Sequence, residues 1–83
     1  MKIKEWFMRK IEAKARIYNC FIDLVSREDN LGDLVEDGCV YAYVQEKLDE
    51  TEKAVKVKFS TGSVVGSYKG WTTWVPKSVI EIM

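Results

Sequence analysis

The residues best suited to binding chemistry lie in one aromatic and basic segment, Tyr68-Lys69-Gly70-Trp71-Thr72-Thr73-Trp74. An exposed aromatic ring beside lysines can stack on a base of single-stranded nucleic acid or anchor a protein interface. The alternative is that both tryptophans belong to a core shared by a helix and a sheet. Five candidate binding residues come from this segment and from a neighbouring predicted strand: Trp71, Tyr68, Lys69, Lys56 and Lys58.

Trp71 and Trp74 are three positions apart, so in an extended strand their side chains point to opposite faces. At most one of them fills the core of a regular sheet. We predict that Trp74, in phase with the turn after it, is the core residue. Trp71 is then partly exposed beside Tyr68.

The residue types in the chain do not indicate a catalytic site or a metal site. The chain has no histidine, and its two cysteines, Cys20 and Cys39, do not form a CxxC motif. Both cysteines are expected to be reduced, buried and apolar in character. Glycines occur singly, without a phosphate-binding loop. We therefore predict a protein that is not an enzyme, with no cofactor, no metal and no small-molecule substrate.

Composition indicates one folded domain over residues 1–83, with 47% apolar residues and ten aromatics but a single proline. No apolar run is long enough to span a bilayer, and no secretory signal is evident. A cytoplasmic protein is expected. The net charge is zero but unevenly spread: +4 over residues 1–16, −8 over residues 23–52 and +4 over residues 53–83. This balance disfavours nucleic-acid binding by total charge but allows local patches.

The first 26 residues predict an amphipathic helix. Polar side chains recur every three or four positions, and Glu5 with Arg9 forms an i,i+4 pair in the favourable order. Residues 16–25 also alternate like a strand, with Tyr18 and Ile22 on one face. Two alternatives stay open: a continuous helix, or a helix that breaks near residues 13–15 and is followed by a strand.

The helix also carries two candidate binding residues, Trp6 and Phe7. Together with Met8 they are consecutive, so they spread around the helix circumference. This apolar excess is more than one small sheet can cover, and it favours contact with another protein or self-association. A membrane-surface role is disfavoured because Glu5 and Glu12 dilute the basic face.

Residues 27–38 predict an acidic loop, and residues 39–83 an antiparallel β unit. Alternating apolar residues indicate strands at 40–47 and 53–59, joined by a turn at 48–52. A turn at 60–63 leads to a strand that begins at Val64 and is interrupted by Gly66, and a second turn around Lys69 and Gly70 leads to a return strand at 71–75. Pro76 interrupts the pairing there, and Ser78 is placed to cap one tight turn before a short last strand.

Two resemblances support this β unit. The segments Thr51-Glu52-Lys53-Ala54-Val55-Lys56-Val57-Lys58-Phe59 and Trp74-Val75-Pro76-Lys77-Ser78-Val79-Ile80 resemble a pattern in small, mostly uncharacterised proteins of bacteriophages and mobile elements. The closing segment is also similar to the last strands of Src-homology-type small barrels, which implies a barrel shape.

The sequence thus predicts an α+β fold, with an N-terminal amphipathic helix packed on a small antiparallel, barrel-like sheet of the Src-homology type. The expected function is that of an intracellular interaction module that binds another protein. Single-stranded nucleic-acid binding through the lysine- and tryptophan-bearing sheet is the alternative.

Overall fold

A computed structural model describes residues 1–25, 38–62 and 70–83. In this part of the chain one helix and three antiparallel sheets confirm the α+β class. Residues 27–37 of the predicted acidic loop, the strand predicted to begin at Val64, and the candidates Tyr68 and Lys69 lie outside the described residues. The elements in chain order are β1 (Lys2–Lys4), α1 (Glu5–Ile17), β2 (Phe21–Ile22), β3 (Cys39–Tyr41), β4 (Val44–Glu50), β5 (Ala54–Phe59), β6 (Thr61–Gly62), β7 (Trp71–Pro76), a 3-10 helix (Lys77–Val79) and β8 (Ile80–Ile82).

The helix begins later than predicted because the first residues form a strand. Ile3 is fully buried and pairs with Val40 on one side and Ile80 on the other, which makes β1 the central strand of a sheet ordered β3-β1-β8. The backbone then turns at Lys4, and the Glu5 N–H donates to the Gly38 carbonyl at 2.8 Å. A central strand satisfies the backbone groups of Lys2–Lys4 on both sides, so extended pairing prevails over the helical pattern.

The continuous helix to residue 26 is also wrong, because α1 ends at Ile17. Asn19 adopts a left-handed conformation, with φ of 59°. Its N–H donates to the Arg16 carbonyl at 2.9 Å, and the Cys20 N–H donates to the Ala15 carbonyl at 3.0 Å. These two bonds are those of a Schellman motif, which satisfies the last carbonyls of a helix. The strand β2 follows this motif, which is closer to the second alternative, but the helix breaks after Ile17 and not at residues 13–15, and the strand has only the two residues Phe21–Ile22.

The predicted β unit exists, but its strand boundaries differ. The 40–47 segment divides into β3 and β4, and between them Ala42 bridges Leu24. Strand β4 continues to Glu50, so the turn lies at residues 51–53, where Thr51 and Ala54 exchange hydrogen bonds. Two residues of the predicted 60–63 turn form β6, which pairs with β2. The N-terminal part of the chain therefore contributes strands to the sheets.

The closing segment agrees with the prediction in outline. Strand β7 pairs with β5 as far as Pro76, a single 3-10 turn comes next, and β8 then joins the sheet of β1. The Lys77 N–H donates to the Lys53 carbonyl at 2.8 Å, which fixes the start of the turn. Ser78 does not cap it, because the N-cap position is Pro76 and no side chain caps this turn.

The core lies between α1 and the two larger sheets, β3-β1-β8 and β4-β5-β7. Its side chains come from nearly every element: Ile3, Met8, Ile11, Ala15, Ile22, Val40, Ala42, Val55, Val57, Phe59, Val75 and Val79. Cys39 is buried with them, Cys20 is partly buried, and the two are not bonded to each other. Helix α1 therefore has one face fixed in the core, and the sheet β4-β5-β7 has one face that no described element covers.

Candidate functional site

The two tryptophans of β7 face opposite sides of the sheet, in the reverse of the predicted order. Trp71 lies opposite Phe59 in the antiparallel register, and Trp74 lies opposite Lys56. Opposed residues share a face, so Trp71 points inward with the fully buried Phe59 and packs against the core. Trp74 points outward and keeps 42% of its surface exposed. The prediction is wrong because Val75, not Trp74, is the buried residue next to the closing turn.

Lys56 and Lys58 do lie together, but they share their face with Trp74 and not with Trp71. We call this face of β4, β5 and β7 the outer sheet face. Two carboxylates from β4 complete it, because Asp49 pairs with Lys56 and Glu46 pairs with Lys58. Two positive and two negative charges give the face no net charge. Its residues include Glu46, Asp49, Lys56, Lys58, Thr72 and Trp74, and the opposed pair Ala54 and Pro76 lies on the same face.

Gly70 allows the Lys58 side chain to lie across the start of β7. A Cβ atom at Gly70 would come within 2.6 Å of Lys58 Cε and 2.9 Å of Gln45 Oε1. Gly70 also has φ of 74°, a conformation that favours glycine. This glycine therefore sets both the backbone entry into β7 and the path of the lysine.

The structure separates the two helix candidates, Trp6 and Phe7. Phe7 is partly buried and packs against the core, whereas Trp6 is 56% exposed. Their rings meet edge to face at 5.8 Å between centroids. The Trp6 ring thus packs against Phe7 on one side, while the rest of its surface remains available to a partner.

Trp6 begins a row of exposed residues on the side of α1 opposite the core. At about 100° per residue, positions 6, 10, 13 and 17 share one face of a helix. The core side of α1 is formed by Met8, Ile11 and Ala15, all buried. The exposed row, which we call the solvent stripe, consists of Trp6, Lys10, Ala13 and Ile17.

Three of the four stripe residues are apolar, and Ile17 is 79% exposed. Sequence reasoning noted the apolar excess of α1 but missed this row. The spacing of positions 6, 10, 13 and 17 could have indicated this row in the sequence. It was overlooked because the apolar residues on the opposite face, such as Ile11 and Ala15, already explain how the helix packs on the core. The Lys10 ammonium lies 5.3 Å from the centre of the Trp6 ring, which orders both side chains.

Basic residues border the solvent stripe on both sides. Arg9 and Arg16 lie along one border, and Lys14 lies along the other. The predicted Glu5 to Arg9 pair is confirmed, with 2.6 Å between Arg9 Nη2 and Glu5 Oε1. Beyond the arginine border is a groove of about 220 Å³ whose apolar lining includes Met8, Leu24 and Val40.

A charged cluster around Glu50 and Glu81 was not predicted. Glu50 accepts hydrogen bonds from Lys47 at 2.7 Å and Lys77 at 2.6 Å, and these bonds lower the pKa of its carboxyl to about 2. Lys4 lies 2.6 Å from Glu81 and lowers the pKa of that carboxyl in the same way. These charges pair with one another, and four of their side chains, those of Lys47, Glu50, Lys77 and Glu81, also line a pocket of about 360 Å³.

Within residues 1–25, 38–62 and 70–83, no three His, Cys, Asp or Glu side chains converge to hold a metal ion. Nor does any helix in those ranges have the length and apolarity to cross a membrane. No protein-family model matches the chain, and comparison with curated proteins and with solved structures gives no significant match. Among the described residues, the solvent stripe of α1 and the outer sheet face are two surfaces with the features of a binding site.

Proposed function

We propose that this chain is a non-enzymatic interaction module that binds another protein through the solvent stripe of α1. One observation carries the proposal: Trp6 and Ile17 are largely exposed on a helix whose opposite face is already buried in its own core. A protein interface concentrates its binding energy in a few such anchors, with tryptophan enriched among them. A partner would remove both side chains from water.

The scaffold we propose is a small barrel of the Src-homology type, in an intracellular protein of a bacteriophage or mobile element. Strands β3 and β4 are close in sequence, so one stretch of chain serves both larger sheets, and the 3-10 turn passes the chain from β7 back to β8. Helix α1 then occupies the connection between β1 and β3. The bacteriophage-type pattern of Thr51–Phe59 and Trp74–Ile80 supports the proposed origin.

Site-specific photocrosslinking tests the proposal. A photoreactive phenylalanine derivative replaces Ala13, which is exposed at the centre of the solvent stripe, in the cells that produce the chain. The matched control carries it at Thr72, which is exposed on the outer sheet face. We expect a discrete protein adduct from position 13 only. The adduct should disappear when Trp6→Ala and Ile17→Ser are added. Equal adducts from both positions, or none from position 13, would refute the proposal.

The second candidate function is binding of single-stranded nucleic acid on the outer sheet face. The observation in its favour is that Trp74, rather than the predicted Trp71, is exposed beside Lys56 and Lys58. A base can stack on such a ring while the lysines contact phosphates. The two carboxylates of β4 on this face oppose it, and we rank it second for that reason.

Titration with a single-stranded oligonucleotide at low salt distinguishes the two. If the second function holds, tryptophan emission is quenched in a salt-dependent manner. The quench is lost in Trp74→Phe and retained in Trp6→Phe. Absence of a quench in the wild-type chain eliminates nucleic-acid binding on this face.

A further inference from the structure

The solvent stripe has the spacing of a coiled-coil seam. Its members are separated by four, three and four positions, which is the alternation of a and d residues in a heptad. In this register Trp6 and Ala13 occupy d, while Lys10 and Ile17 occupy a. The seam is about 16 Å long, at about 1.5 Å per residue. A second helix of about three turns would cover it.

Three of the four positions that flank the seam are basic. In the same register Arg9 and Arg16 are g residues and Lys14 is an e residue, while the other e residue is the partly buried Phe7. These positions determine which partner a helix accepts, because they face the flanks of the opposing helix. Within the described ranges, Arg9 is the one among them that forms an ion pair, with Glu5. Lys10 adds a fourth positive charge within the seam itself.

A second copy of α1 does not fit this seam. In a parallel pair Arg9 would face the partner's Lys14, and in an antiparallel pair arginines would face arginines, so like charges meet in either orientation. The opposite arrangement, carboxylates on both flanks of an apolar row, would face Arg9 and Arg16 on one flank and Lys14 on the other. Charge complementarity therefore selects a different protein.

We infer that the partner contributes an acidic amphipathic helix, with apolar residues in its seam, Glu or Asp on both flanks and an acidic residue opposite Lys10. The inference rests on the proposed function and specifies the partner's chemistry. The groove beyond the arginine border is lined by Met8, Leu24 and Val40 and by the charged side chains of Glu5, Arg9, Glu12 and Arg16, and its volume of about 220 Å³ leaves room for one further side chain of that helix.

Lipid and nucleic acid match this surface less well. A helix that lies in a membrane interface buries a broad apolar face, whereas the broad apolar face of α1 is already in the core and only Trp6, Ala13 and Ile17 remain. Phosphates of a nucleic acid would meet the cations but would leave the Ile17 side chain against a polar surface. An acidic helix matches the charged flanks and the apolar row together.

The test is an unbiased selection. A displayed library of helical peptides of about 18 residues, varied at every surface position, is panned on the wild-type chain and depleted on the Trp6→Ala, Ile17→Ser variant. We expect the retained peptides to carry Glu or Asp on both flanks of an apolar row. Retained peptides that depend on Trp6 but are neutral or basic would overturn this inference and leave the proposed function standing. No stripe-dependent peptide at all would overturn the inference too, and the photocrosslinking result then decides the proposed function separately.

Charge reversal makes the test quantitative. Lys14→Glu with Arg16→Glu alters two exposed residues, and circular dichroism checks that the fold is kept. The affinity for a selected acidic peptide should fall about tenfold, as expected for two exposed ion pairs replaced by repulsion. The same peptide with Lys in place of its flanking acids should then bind the reversed variant better than the wild type. The inference is refuted if the reversal leaves affinity unchanged, or if phosphatidylserine vesicles or an oligonucleotide bind through Trp6 while the acidic peptide does not.

Discussion

Replacing each β7 tryptophan by alanine in turn tests the register on which both candidate faces depend. The structure places Trp71 against the core and Trp74 on the outer sheet face. Trp71→Ala should therefore leave a cavity beside Phe59, whereas Trp74→Ala removes a ring that is already in contact with water. The two variants should differ in their free energy of unfolding, although the chemical change is the same.

The size of the difference depends on burial. A fully buried tryptophan costs about 3–5 kcal/mol when truncated to alanine, and because Trp71 is only partly buried we expect about 2–3 kcal/mol. Trp74→Ala should cost about 1 kcal/mol or less, as for surface positions. For a chain of 83 residues the whole free energy of unfolding is about 4–12 kcal/mol. Trp71→Ala thus removes a large part of the stability.

Urea unfolding monitored by far-ultraviolet circular dichroism measures the loss of unfolding free energy in both variants. With a slope of about 1 kcal/mol/M for a small domain, Trp71→Ala should lower the urea midpoint by about 2–3 M and Trp74→Ala by about 1 M or less. Trp71→Phe, which keeps a ring in the core, should fall between them and remains measurable if Trp71→Ala does not fold. A larger loss from Trp74→Ala than from Trp71→Ala would refute the register.

Three further outcomes are expected. Lys47 and Lys77 hold the pKa of the Glu50 carboxyl at about 2, below the usual 4.5, so the ionised carboxylate stabilises the fold above pH 4.5 and this stabilisation is lost as the pH falls toward 2. Glu50→Gln should flatten that part of the curve of unfolding free energy against pH. Titration of the carboxyl by NMR reports the pKa directly. Asn19→Val should lower the free energy of unfolding by about 1–2 kcal/mol, because valine is unfavourable in the left-handed conformation that ends α1. Asn19→Gly should be neutral or slightly stabilising in the same denaturation assay. Gly70→Ala should lower the thermal midpoint, and Lys58→Ala in that background should restore only part of the loss, because the backbone conformation at Gly70 stays unfavourable for alanine.

The sequence was informative where one physical effect dominates. Alternation in β5 places Val55, Val57 and Phe59 inward, and all three are buried, because a two-residue period admits only one core-facing phase. The single turn after Pro76 was predictable for a similar reason, since proline cannot continue the ladder. In both places the local pattern and the tertiary structure agree.

Elsewhere long-range pairing overrides the local pattern. Lys2–Lys4 fits the helical stripe, but it lies between two strands that are distant in sequence, and no local signal reports them. The prediction of which β7 residues face inward was wrong. It chose Trp74 because this side chain is larger and more apolar than Val75, whereas the pairing register with β5 places Val75 inward. The end of α1 near Asn19 could not be located from the sequence, because the residues around Asn19 fit both a helix and a strand.

The candidate site shows the same division. Trp6, Lys56 and Lys58 were chosen by residue type; Trp6 is exposed on α1, and the two lysines lie half-buried on the outer sheet face. The solvent stripe was not identified, because its definition depends on knowing which helix face is buried. Ile17 in particular has the composition of a core residue, and only the fold reveals that it faces water.

The central position of β1 has a consequence for the order of folding. Ile3 pairs with Ile80, almost the full length of the described chain away, so the β3-β1-β8 sheet needs its first and last strands together. Contacts of such sequence separation are formed late and slow folding, because a long loop must close before they form. On the ribosome, β1 has to wait for β8 to emerge. Until then the edge of β1 that pairs with β8 remains exposed, a period in which a chaperone has most to protect.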